Sequence, residues 1–263
     1  MAQVNGSNSI APALTPTGSE RVIYELRSLY ESYGFKQFSM SKFEQYDLYA
    51  RNKDFLISEN IITFTDTNGK LMALKPDVTL SIVKSTKDHE GVMQKLYYNE
   101  NVYRVSKGTG TFKEIMQVGL ECIGLVDFYS VYEVLQLAAK SLLTISPQCV
   151  LSLVDARIVT RIIGSFDASE EAKAEILRTI IEKNPHELSR ACSEAGIEQE
   201  SFDALVAIAQ MHGAPSEVAG KLSEICALFG ISDVCDEFLS VVLALEEEFA
   251  QTSLAIKIGR AHV

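Results

Sequence analysis

The chain lacks most of the patterns that announce a function. Its five cysteines include no C-x-x-C pair, and its four histidines (His89, His186, His212 and His262) are scattered without ligand spacing. A structural metal site is therefore not expected. No G-x-G-x-x-G, P-loop, G-x-S-x-G or H-E-x-x-H pattern occurs, which leaves the common nucleotide, serine-hydrolase and zinc-protease routes without support. No cofactor is implied. No apolar run approaches the roughly 20 residues that a bilayer span requires. Positive charge is scarce, with a formal net charge of −11, which argues against unspecific nucleic-acid binding. The N-terminus has no basic start followed by an apolar core, so it does not read as a secretory signal. Cys122, Cys192 and Cys226 sit in apolar patterns and read as reduced core thiols, which fits a cytoplasmic protein.

What is present is an ordinary globular composition: 263 residues, 47% hydrophobic and 22% charged. The length suits one large domain or two small ones. Residues 1–14, rich in Gly, Ser, Asn and Pro, read as a flexible lead-in. Ile258-Gly259-Arg260-Ala261-His262-Val263 back-translate to a stretch of a common short-read sequencing adapter. Residues 258–263 are therefore read as a non-native scar, with the natural chain continuing past residue 257.

Periodicity divides the rest. Val22, Ile23, Leu26, Leu29 and Tyr30 share one helical face, and Gly34 is a natural stop. Ile61–Phe64 and Leu71–Leu74 flank an Asp-Thr-Asn-Gly turn and read as a hairpin. Asp77 is placed to cap a helix over 78–84. A long hairpin is expected over 95–123, a helix from Asp127 to Leu143, a short strand at Val150–Leu153 and a helix near 155–163. From Asp167 the character changes. Residues 167–250 carry no strand signal, Asp167 and Glu170 have capping-box spacing, and Asn184-Pro185 opens a helix that Gly196 ends. The expected class is α+β: an antiparallel sheet flanked by helices over 15–165, followed by an all-helical packing or interface module over 166–250. Hairpins stand where an α/β fold would have βαβ units.

The segment from Leu96 to Gly124 is the most informative. On its second strand Gln117, Gly119 and Glu121 share a face, because side chains alternate. Met116, Val118, Leu120 and Cys122 share the other, which is read as the core face. Gln117 and Glu121 lie roughly 13 Å apart at the usual strand rise, a span that suits a small polar molecule. A glycine within a strand often marks a close approach by a ligand or another backbone. Asp77 and Thr79 open a helix, and Arg104 lies on the first strand of the hairpin. These types could grip a zwitterion: carboxylates take an ammonium or imidazole N–H, and arginine takes a carboxylate or phosphate. Each also has a plainer reading, Asp77 as a helix cap and Arg104 as a surface ion pair. Glu121 is the hardest to dismiss, because a carboxylate in an apolar strand needs a partner.

The blocks YGF…FEQYDLY, FTDTNGKLMALKPDVTLSIVK and YYNENVYRVSKGTGTFKEIMQVGLECIG resemble the catalytic domain of class II histidyl-tRNA synthetases. More closely they resemble its non-synthetase relatives, the regulatory subunits of ATP phosphoribosyltransferase. The resemblance covers roughly residues 14 to 163 and matches Asp77, Thr79, Arg104, Gln117 and Glu121 to histidine-contacting positions. Departures separate the two families. Ser106 stands where the synthetase carries a Glu, Thr111 where an Arg would lie over ATP, and Ser41 where the first class motif has Pro. The resemblance thus implies a histidine pocket without adenylation chemistry. It implies a non-catalytic regulatory subunit for the first step of histidine biosynthesis, needed for activity and for feedback. Its implied partners are a short-form ATP phosphoribosyltransferase catalytic subunit, L-histidine as effector and a second copy of itself within a hetero-oligomer. A divergent or truncated histidyl-tRNA synthetase is the alternative.

Overall fold

The structure, a computed structural model, describes residues 17–51, 61–86, 93–106, 109–182 and 184–259. The proposed lead-in, residues 1–14, lies outside the described residues. The chain divides into two compact units, Met1–Leu125 and Val126–Val263.

The first unit opens with α1 (Gly18–Ser32). Thr17 and Glu20 form a reciprocal capping box, with the Glu20 carboxylate 2.7 Å from the Thr17 amide. Thr17→Ala is expected to cost about 1 kcal/mol of helix stability. Amide exchange in the first turn of α1 should accelerate accordingly. Of the expected apolar stripe, Leu26 and Tyr30 are buried. β1 (Lys36–Gln37) then pairs in parallel with β5 (Gln94–Val105), whose other neighbour is the antiparallel β6 (Phe112–Ile123). Among the described strands β6 has only this one neighbour, so its outer edge is unpaired. A second three-stranded sheet has the order β2 (Phe43–Gln45), β4 (Leu71–Leu74), β3 (Thr63–Thr65). In the predicted hairpin turn, Asp66 Oδ1 accepts the amides of Asn68 and Lys70, both at 2.8 Å. The short α2 (Tyr46–Ala50) follows β2, and α3 (Thr79–Ser85) follows β4.

No residue of β6 is fully buried on either face. Met116 is 52% exposed, and Val118, Leu120 and Cys122 are only partly covered. The opposite face packs under α3, where Val78, Ile82 and Val102 are fully buried with Leu96, Tyr98 and Ile123 against them. The far face is occupied only locally, by contacts such as the Tyr30–Tyr97 ring pair at 5.7 Å. Burial here is decided by α1 and α3, elements distant in sequence, and not by the alternation within β6.

The second unit begins with α4 (Phe128–Ile145), capped by Asp127 as expected, then β7 (Cys149–Leu153) and α5 (Ala156–Gly164). These join the later helices rather than the first unit, so the break expected near residue 165 falls instead after Leu125. The reason is visible in α5, whose buried Ile158, Val159, Ile162 and Ile163 enter one core with Ile176, Leu188, Leu205 and Leu245. α6 (Glu170–Ile181) is capped by Ser169, not by Asp167, because the Ser169 side chain reaches the Ala172 amide. α7 (Pro185–Glu194) starts behind Asn184 as the Asn-Pro pair predicts, and Gly196 after it adopts φ +67°. α8 (Gln199–Gln210), α9 (Pro215–Leu228) and α10 (Ser232–Phe249) complete the helices.

Within 166–250 the described elements are helices apart from a single two-residue strand, and a further strand follows beyond them. β9 (Leu254–Gly259) runs parallel to β7 and antiparallel to the two-residue β8 (His212–Gly213). Ile258 and Gly259, set aside in the sequence reading, are the last two residues of β9, and Ile258 is buried opposite Leu153. Residues 260–263 of that segment lie outside the described residues. Among the described residues no helix is long and apolar enough to cross a membrane.

Candidate functional site

The site is built on the start of α3 and on the face of β5 and β6 beneath it. The chain enters it through Lys75-Pro76-Asp77, which is fastened to its surroundings at each residue. Lys75 donates its amide to the Lys42 carbonyl at 3.2 Å and accepts the Tyr103 amide at 2.9 Å. The Pro76 carbonyl accepts Arg104 Nε at 3.0 Å. Asp77 Oδ1 accepts the Leu80 amide at 3.2 Å. Asp77 thus caps the helix as expected, although it stands one residue before the N-cap position, which is Val78.

Thr79 faces β6, and its Oγ1 donates to Glu121 Oε1 at 2.5 Å. Burial pushes the Glu121 carboxyl above the usual carboxylate range; the Thr79 hydrogen bond opposes this and the nearby Asp77 charge adds to it. Gln117 lies on the same face and stands directly across from Glu100 in the β5–β6 register. Arg104 lies on that face of β5, farther along toward the hairpin end, opposite Lys113. The structure therefore brings Asp77, Thr79 and Glu121 into one group. Arg104 is tied to it through Pro76, and Gln117 lies one step along the sheet.

Tyr98 sits among them and was not foreseen. It is paired across the strands with Gly119, and a Cβ built at Gly119 would come within 2.5 Å of the Tyr98 hydroxyl oxygen. The ring lies over the glycine, so the close approach that a strand glycine signals is made by a side chain of the same sheet. Burial, with the Glu121 and Asp77 charges behind it, drives the Tyr98 phenol up to about 12. It therefore stays a neutral donor and acceptor at any ordinary pH. The sequence cue was the register itself, since any hairpin pairing Glu121 with Leu96 puts residue 98 on Gly119.

A buried pair lies beside the group: Lys75, fully buried, donates its ammonium to Glu100 Oε2 at 2.5 Å. Together the residues offer carboxylates (Asp77, Glu121), a guanidinium (Arg104), an amide (Gln117) and two hydroxyls (Thr79, Tyr98). Such a set can hold a small molecule carrying both a cationic nitrogen and an acidic oxygen. At the distal end of the hairpin the chemistry is different. Ser106 donates its amide to the Thr111 carbonyl at 2.8 Å, and Thr109 and Thr111 share a hydroxyl contact of 2.9 Å. Ser106, Thr109 and Thr111 themselves carry neutral side chains.

The sequence model of the histidyl-tRNA synthetase family matches residues 16–261. The chain belongs to that family. Within it, two kinds of relative are similar at comparable levels. The histidine–tRNA ligase of Methanocaldococcus jannaschii is 28% identical over 205 residues, covering 76% of this chain and 49% of the relative. The ATP phosphoribosyltransferase regulatory subunit of Oceanobacillus iheyensis is 22% identical over 242 residues, covering 90% of this chain and 59% of the relative. The chain thus spans about half the length of the curated relatives it matches. Among solved structures, an ATP phosphoribosyltransferase regulatory subunit/histidyl-tRNA synthetase from Bacillus halodurans superposes with a TM-score of 0.70 at 16% identity, covering 92% of this chain and 63% of that one. A chain of the ATP phosphoribosyl transferase complex from Thermotoga maritima does so with a TM-score of 0.64 at 17% identity, covering 93% and 82%. The fold is therefore that of the class II histidyl-tRNA synthetases, and the expected α+β class with its synthetase-like core holds.

Proposed function

We propose that this chain is part of a non-catalytic regulatory subunit of ATP phosphoribosyltransferase that binds L-histidine through Asp77, Thr79, Arg104, Gln117 and Glu121. The observation that carries the reading is the contrast along one hairpin. At its base, Glu121 is bonded to Thr79 at 2.5 Å beside Asp77, a group suited to an ammonium or imidazole N–H. At its tip, Ser106 and Thr111 present neutral groups where the resembled synthetases carry a carboxylate and a cation. Adenylation depends on charge stabilisation at a transferring group, often the largest catalytic contribution, and these residues cannot supply it. The partner in this reading is a short-form catalytic subunit, which the chain activates, within a hetero-oligomer containing a second copy of the chain. Feedback then requires that histidine bind one state of that complex better than the other.

The second reading, a divergent histidyl-tRNA synthetase, is favoured by the 28% identity to a histidine–tRNA ligase. Two measurements on the full chain separate them. Calorimetry with L-histidine should give saturable heat, and histidine-dependent exchange of pyrophosphate into ATP should be undetectable. Measurable exchange selects the synthetase. A folded sample with no heat at millimolar histidine rejects both pockets.

A further inference from the structure

We propose that Lys75 and Glu100 form the positioning pair of this site, a clamp that sets Asp77 and Arg104 in place for the ligand. The inference rests on the histidine reading for its ligand, and on independent geometry for the clamp. Lys75 is fully buried, although lysine is almost never so unless paired, and its ammonium meets Glu100 Oε2 at 2.5 Å. The Glu100 side chain is 18% exposed, and its second oxygen lies 3.5 Å from the Met40 amide.

The location gives the pair its role. Pro76 confines the residue before it to extended backbone, so Lys75 has little freedom of its own. Three consecutive attachments then bind this segment to β5: the Lys75 side chain to Glu100, the Lys75 carbonyl to the Tyr103 amide, and the Pro76 carbonyl to the Arg104 guanidinium. Asp77 is the next residue, and Glu100 faces Gln117 across the strands. Four of the candidate residues therefore hang from the segment or stand on the strands it grips: Asp77, Arg104, Gln117 and, through Thr79, Glu121. An ion pair at this point is a poor source of net stability, because desolvation offsets its attraction. It is a good source of fixed geometry, since only one arrangement satisfies both charges.

The test exploits that difference. In the double variant Lys75→Met/Glu100→Leu both charges go, so no buried charge is left unpaired and the thermal midpoint should stay close to that of the parent chain. Histidine affinity should nevertheless fall about tenfold, because a loosened support lets the binding groups drift. Lys75→Arg should bind within about threefold of the parent. A purely structural pair predicts the reverse for the double variant, with affinity restored along with stability. A double variant that binds within about twofold of the parent overturns the proposal. Where the double variant does not fold, Lys75→Met/Glu100→Gln keeps more of the Glu100 shape and also leaves no buried charge, and the same affinity criterion applies to it. Amide exchange at Tyr103 and Leu80 is the ligand-free readout. It should accelerate in the variant while the α1 amides do not change, and unchanged exchange at both positions also overturns the clamp. If the parent gives no heat with histidine, the functional reading fails and the exchange result alone decides the clamp.

Discussion

Replacing Glu121 by alanine is expected to weaken histidine binding by about 1–3 kcal/mol, the cost of leaving a buried polar partner unsatisfied. Calorimetry on the folded variant checks it, and unchanged affinity would mean the pocket is elsewhere. The same side chain makes a second, opposite prediction for stability. Its carboxyl titrates higher in the folded chain than in the unfolded one, because burial penalises the anion more than the Thr79 bond supports it. Between the two values the folded state holds more protons, so stability falls as pH rises through that interval and stays lower above it. Glu121→Gln keeps the shape without the anion. Its thermal midpoint should match the parent below about pH 4 and exceed it at pH 7. A variant that is more stable at neutral pH yet binds histidine poorly would mark Glu121 as a residue kept for binding at the expense of stability.

The second large effect is expected at Gly119. A methyl group there would lie 2.5 Å from the Tyr98 hydroxyl oxygen and 2.6 Å from the ring carbon bearing it. The backbone of Gly119 is not in the positive-φ group, so the obstacle is the ring and not the main chain. Gly119→Ala must therefore swing the phenol out of the site, at a stability cost of about 1–3 kcal/mol for overpacking. Histidine affinity should drop by more than about tenfold, since Tyr98 leaves the neighbourhood of Glu121 and Asp77. Tyr98→Ala added to Gly119→Ala should return much of the lost stability but none of the affinity. Such non-additivity is the signature of two residues that share one space. Additive losses would show that Tyr98 does not lie where the register puts it.

Legibility from sequence followed locality. Elements whose signals lie within a few residues were readable: the Asp66–Gly69 hairpin, the Asp127 cap, the Asn184-Pro185 start and the glycine stops at Gly34 and Gly196. The β2, α2 and β8 elements were not readable, because two to five residues are too few to show a period. β9 escapes the sequence pattern because its end overlaps the segment that reads as a scar and its partners β7 and β8 lie far back in the chain. The division into compact units after Leu125 is not visible in the sequence, because β7 and α5 look the same whichever core they join, and the packing of α5 against the later helices decides it. Of the candidate site residues, Gln117 and Glu121 stand out by strand alternation, and the full set of five comes from the family resemblance. Lys75, Tyr98 and Glu100 were missed because what sets them apart is burial and register across segments distant in the chain, and no single-segment pattern encodes either.

The unpaired margin of β6 has a practical consequence. Phe112, Ile115 and Met116 are 73%, 38% and 52% exposed beside backbone groups with no neighbouring strand among those described. Among the described residues that border has no covering strand, and edge-to-edge pairing is the outcome to expect as concentration climbs. Light scattering across a dilution series would register it, and lysines placed at 112 and 116 should keep the solution clear.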